Sequence, residues 1–127
     1  VNVVDTSAIL AVLFDEPERA PLETRLMAGP CVMSAATRVE LGIVVEAKKG
    51  PAGTQLLEEL LTRIDVEVAP VDDPQVHEAL VGWRRFGKGR HPAGLNYGDL
   101  FSYALSRTLG QPLLFVGGDF GQTDLST

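Results

Sequence analysis

The sequence predicts an α/β domain: a mainly parallel central sheet of about four to five strands flanked by helices, with residues 1–127 forming one domain. Three observations predict it. Short apolar runs bounded by turn residues alternate with longer amphipathic stretches, the pattern of strands joined by crossover helices. Gly29-Pro30, Gly50-Pro51 and Gly110 punctuate the chain where one element should yield to the next. A chain of 127 residues with 45% hydrophobic content is long and apolar enough to bury one proper core.

Val1–Val4 is a short apolar strand, and Ala8–Phe14 should form a buried helix beginning near Ser7. Asp15-Glu16-Pro17 breaks that helix, with Pro17 placed in the first turn of a second helix reaching about Ala28. Cys31-Val32-Met33 is the second strand, and Ser34 caps a helix over Ala35–Lys49. Gly50-Pro51 ends it and opens the next helix, to about Arg63. Asp65–Val71 reads as a third strand with Val66, Val68 and Val71 turned inward. Asp72-Asp73-Pro74 starts a helix to Phe86, and a basic loop follows over Gly87–Gly94. Asn96 caps a helix through Leu109, Gly110 ends it, and Leu113–Val116 is the fourth strand.

Eleven basic against seventeen acidic residues leave a net charge of −6, unlike the basic face of a non-specific nucleic-acid binder. No apolar run approaches the roughly 20 residues that span a bilayer. The N-terminus lacks a basic and then apolar leader pattern, so a cytoplasmic location is expected. The single cysteine, Cys31, excludes an intrachain disulfide and a cysteine zinc site, and its apolar neighbours suggest a buried structural thiol. His77 and His91 lack zinc-ligand spacing.

Four carboxylates stand out by position: Asp5, Glu40, Asp99 and Asp119. Asp5 follows the first strand, where ligands of open α/β sheets gather, although Asp5-Thr6-Ser7 also caps a helix well. Glu40 falls in line with Ala36, Ile43, Val44 and Ala47, an apolar stripe, so it points toward the core and needs a partner. Asp99 lies three residues after Asn96, where a capping interaction accounts for it equally well. Asp119 follows Gly117-Gly118, an ordinary turn context, and Asp124 after Thr123 has the same bland explanation. Together the four occupy places that converge at the switch point of a doubly wound sheet. Unpaired buried carboxylates are expensive, and the economical counter-charge is a divalent cation with oxygen ligands.

Four segments carry a resemblance to a known family across nearly the whole chain. They are Val3-Val4-Asp5-Thr6-Ser7-Ala8, Met33–Leu41, Phe86–Asp99, and Pro112–Phe115 leading into Gly118-Asp119-Phe120. Through them the sequence resembles the PIN-domain ribonucleases, specifically the VapC-type toxins of bacterial toxin–antitoxin pairs. The resemblance implies a PIN-like fold and Mg²⁺- or Mn²⁺-dependent cleavage of RNA, leaving 5′-phosphate and 3′-hydroxyl ends. Asp5, Glu40, Asp99 and Asp119 become the acidic set, with Asp5 and Asp99 touching metal directly and Glu40 and Asp119 acting mainly through water. The relatives' pattern has an Asp-Asp pair where this chain has Gly118-Asp119, so Asp124 is a candidate to complete the set. Thr6, Ser7, Ser34 and Asn96 match polar residues that orient such acids. The resemblance further implies a homodimer and a VapB-type antitoxin, with no membrane association.

Arg84, Arg85, Lys88 and Arg90 form the one dense basic tract, beside Trp83, Phe86, His91 and Tyr97, and are candidates to steer RNA phosphates. A solvated helix end explains such a tract as well. Two rival functions remain at this level: a non-catalytic PIN-like binding module, and an aspartate-dependent phosphoryl-transfer domain. Ser7 stands where the latter expects a second Asp, and no P-loop occurs.

Overall fold

Val3 and Val4 face opposite sides of one strand, and those sides become two cores. The computed structural model describes residues 1–125, so the last two residues of the expected 1–127 domain lie outside the described residues. Strand β1 (Asn2–Val4) pairs in parallel with β2 (Cys31–Ser34) on one side and β4 (Leu113–Leu114) on the other. Strand β3 (Val66–Ala69) lies beyond β2, giving an all-parallel sheet of order β3-β2-β1-β4.

Side-chain alternation sends Val4, Cys31, Met33 and Leu114 to one face. There they meet α1 (Thr6–Leu13), α2 (Arg19–Met27) and α3 (Ala35–Arg63) through Ile9, Leu26, Leu41 and Leu57. Val3, Val32 and Leu113 point the other way, against α4 (Asp73–Phe86) and α5 (Tyr97–Leu109), where Phe86, Tyr103 and Leu105 are buried. Burial on both faces is why these strands read as short continuous apolar runs.

The chain steps from β1 outward to β2 and β3, then returns to place β4 on the far side of β1. That reversal opens a crevice at the carboxyl ends of β1 and β4, the place where ligands of such sheets bind. Side-chain caps mark the helix starts around it. Asp5, Ser34, Asp72 and Asn96 each accept a backbone N–H from the first turn of the helix they precede. Gly110 closes α5 in the left-handed conformation (φ 63°).

Several local expectations change. Helix α2 starts at Arg19, and Pro17 lies outside it: Asp15 adopts φ 52°, and the chain turns through Glu16 N–H to Ala11 carbonyl. Helix α3 spans both expected helices but breaks at Gly50, whose φ 66° and ψ −165° are open to glycine alone at little cost. Pro51 then begins the second segment, where its missing N–H is harmless. The third strand is shorter than Asp65–Val71, and Val68 is 45% exposed. It sits on an edge strand whose ends, Val66 and Ala69, are half-buried and whose middle is exposed. Strand β4 stops at Leu114, with Phe115 and Val116 continuing toward the crevice without ladder pairing. Cys31 is buried, its thiol donating to the Leu26 carbonyl. No helix among the described residues is long and apolar enough to cross a membrane.

Candidate active site

Asp5 is the first residue beyond β1 and is only 5% exposed. Its backbone N–H still bonds the Leu114 carbonyl at 3.0 Å, which fixes it between the two strand ends. Oδ2 accepts from the Ser7 N–H (3.1 Å) and the Ser7 hydroxyl (2.7 Å), and Oδ1 accepts from the Ser102 hydroxyl (2.5 Å). The Ser7 oxygen also accepts from the Val116 N–H at 3.0 Å, tying the ends of β1 and β4 together through one side chain. Asp5 is therefore both a helix cap and a buried carboxylate with neutral donors only.

Glu40 comes from α3 and is half-buried, with Oε1 accepting from the Thr6 hydroxyl at 2.7 Å. The stripe that pointed it inward is not the core face. Ile43 is 64% exposed and Ala47 is exposed, while Thr37, Leu41 and Val45 are buried. This helix carries apolar residues on several sides, so periodicity alone chose the wrong face. Glu40 sits at the crevice edge, where α5 approaches it at Gly98. A Cβ at position 98 would collide with Glu40 Oε2, so glycine there lets the carboxylate keep this position and a larger residue would push it aside.

Asp99, in the first turn of α5, forms a reciprocal capping box with Asn96. The Asn96 N–H donates to Oδ2 (3.0 Å), and the Asp99 N–H donates to Asn96 Oδ1 (2.9 Å). Desolvation raises the Asp99 pKa from 3.8 to about 6. The Asn96 N–H opposes that rise, and the charges of Asp5, Asp119 and Glu40 add to it. The four acids thus share one electrostatic field. Asp119 is exposed at the start of the short 3₁₀ turn Phe120–Gln122, with no capping bond from its side chain. Gly117, at φ 104°, supplies the turn that delivers it.

Among the described residues, the ion pairs join Arg19, Arg38, Arg85 and Arg107 to other acids, and none reaches these four. Asp124 is taken elsewhere. It accepts from Tyr103 Oη at 2.9 Å and pairs with Arg85 (3.1 Å) and Arg107 (3.4 Å), so it fastens the C-terminal segment to α4 and α5. The expectation that Asp124 completes the acidic set is corrected on that ground.

The match to the PIN-domain family model covers residues 3–125. The chain is 47% identical to a ribonuclease VapC of Mycolicibacterium smegmatis over 98% of its own length and 97% of the relative's. This chain belongs to the PIN-domain VapC ribonucleases. It is also 45% identical to ribonuclease VapC30 of Mycobacterium tuberculosis, covering 98% of this chain and 96% of that one. The fold is similar to that of the Mycobacterium tuberculosis toxin VapC20, with a TM-score of 0.78 at 17% identity over 99% and 97% of the two chains. A toxin–antitoxin complex from Klebsiella pneumoniae contains a similar chain, with a TM-score of 0.69 at 16% identity over 98% and 93%.

For a VapC ribonuclease the donor chemistry of this crevice suits a hard cation, since carboxylate oxygens gather there without a basic partner. Among the described residues, no three His, Cys, Asp or Glu side chains stand close enough to hold one ion jointly. Mg²⁺ is commonly held by one or two carboxylates and keeps several waters.

Ser34 acts as a cap, Asn96 caps α5 and also donates its backbone N–H to Asp99, and Thr6 and Ser7 bond Glu40 and Asp5 through their hydroxyls. Sequence reasoning missed Ser102, Thr37 and Gly98. Ser102 lies three residues after Asp99 and Thr37 three before Glu40, spacings that put each hydroxyl on the face of its acid. In the basic tract all four cations are exposed, but they are not equivalent. Arg85 is paired with Asp124, and Arg90 lies over the Trp83 ring at 4.5 Å while donating to the Arg84 carbonyl. Arg84 and Lys88 have no ion pair among the described residues.

Gly98→Ala should displace Glu40 and lower RNA cleavage roughly 10- to 100-fold while the protein stays folded; cleavage of a labelled RNA, read beside circular dichroism, measures it. Asp99 holds its proton more tightly folded than unfolded, so its contribution to stability is complete below about 3.8 and is lost as pH rises through about 6. Metal-free Asp99→Asn should therefore melt above the wild type at pH 7.5, with the difference shrinking toward pH 4. A pH series of thermal melts decides it.

Proposed function

We propose that this chain is the toxin of a type II toxin–antitoxin pair, an endoribonuclease that uses Mg²⁺ or Mn²⁺ held by Asp5, Glu40, Asp99 and Asp119. The observation that supports it most is the convergence of these acids at the sheet's switch point with no cationic partner among the described residues. Asp5 and Asp99 are the direct ligands, and Glu40 and Asp119 act through water. When bound, the cation supplies charge compensation and a more acidic water for attack on a phosphodiester.

The protein's own residues do the positioning. Ser7 and Ser102 fix the plane of the Asp5 carboxylate, and Thr6 holds Glu40 toward the crevice. Asn96 engages Asp99 Oδ2, which leaves Oδ1 for the cation. Arg84, Lys88 and Arg90 are the phosphate contacts that draw RNA to an acidic protein, and Arg85 contributes less because Asp124 offsets its charge.

The partners follow from the same reading. A VapB-type antitoxin holds the enzyme inactive, with a basic side chain taking the place of the cation among the acids. The exposed Val39, Ile43 and Leu56 on α3 provide apolar surface for the antitoxin or for a second copy in a homodimer. The cytoplasm, where RNA and antitoxin meet, is the site of action, and the fold occupies one domain.

Asp5→Asn keeps a good helix cap, so the fold should persist while magnesium-dependent cleavage falls by more than roughly 100-fold. A folded Asp5→Asn protein that cleaves RNA at the wild-type rate would sink the proposal.

A further inference from the structure

Behind Asp5 lies a chain of hydroxyls that the acidic set alone does not explain. Ser102 and Thr37 are each 1% exposed, and their oxygens lie 3.3 Å apart. Ser102 Oγ lies 2.5 Å from Asp5 Oδ1. A buried helical serine often returns its proton to a carbonyl of its own helix. Ser102 instead bonds side chains 97 and 65 residues away in sequence.

Chemistry fixes the proton order. An ionised carboxylate only accepts, so the Ser102 proton goes to Asp5. The Thr37 hydroxyl must then donate to the Ser102 oxygen. Each bond polarises the next along the series Thr37, Ser102, Asp5.

The accounting at Asp5 is restrictive. A carboxylate has about four acceptor positions. Ser7 takes two on Oδ2 and Ser102 takes one on Oδ1, which leaves a single Oδ1 position. We propose that Ser102, backed by Thr37, is a positioning residue that confines Asp5 to this one free position, so that Asp5 takes a divalent cation through Oδ1 alone. Ser102 stands one turn along α5 from Asp99, so the helix that carries one ligand also clamps the other. The proposal rests on the reading of Asp5 as a direct ligand.

Calorimetric titration of RNA-free protein with Mn²⁺ tests it, alongside steady-state cleavage. Ser102→Ala should weaken Mn²⁺ binding by roughly 10- to 100-fold and lower kcat with KM for RNA unchanged. Thr37→Val should shift both in the same direction by a smaller factor, and it carries the test where Ser102→Ala does not fold. A folded variant of either kind with wild-type Mn²⁺ affinity and kcat overturns the positioning role. Wild-type protein that takes up no Mn²⁺ overturns the ligand reading itself, a distinct result from wild-type binding that Ser102→Ala leaves intact.

Discussion

Gathering negative charges in one crevice is unfavourable, and much of the local structure around this sheet exists to make that gathering possible. Asp5 is held by three donors, all of them neutral. Glu40 has a hydroxyl on one oxygen and a glycine making room for the other. Burial raises the Asp99 carboxyl to about 6, and the charges of Asp5, Asp119 and Glu40 add to that rise. Neutral donors orient carboxylates without cancelling their charge, which keeps the crevice attractive to a cation. An arginine in the same place would have made a structural salt bridge, as happens at Asp124.

Capping and function are not alternatives here. Asp5 caps α1 through Oδ2 and Asp99 joins the capping box of α5 through its own Oδ2. Each leaves capacity on its second oxygen. A helix N-terminus both steadies a carboxylate and fixes its direction, so acids at two N-termini can face a common point with little side-chain freedom. Glu40, set inside α3 and away from its N-terminus, needs Thr6 and Gly98 to the same end.

Much of the fold was legible because its signals are local. Caps at Ser34, Asp72 and Asn96, the glycine stop at Gly110 and the break at Gly50-Pro51 are each written within a few residues. Errors arose where tertiary packing overrides local pattern. Pro17 has the right chemistry for a helix start, but the left-handed Asp15 turns the chain first. Val68 has strand character but lies in the exposed middle of an edge strand. The stripe that points Glu40 toward the core is itself exposed at Ile43, and Glu40 lies half-buried beside Thr6 and Gly98 instead. Ser102 shares a helix face with Asp99, but the groups that Ser102 and Gly98 touch are about 60 to 100 residues distant in sequence. Asp124 misled for the converse reason, since the arginines and the tyrosine that claim it are contributed by α4 and α5.

The account stands or falls on whether these carboxylates hold a divalent cation. Anomalous scattering from crystals grown with saturating Mn²⁺ asks this most directly. The account predicts one peak in the crevice, bonded to Oδ1 of Asp5 and to Asp99, with Glu40 and Asp119 reached through water. An empty crevice in crystals that scatter from Mn²⁺ elsewhere, or a cation bound away from Asp5 and Asp99, would contradict it.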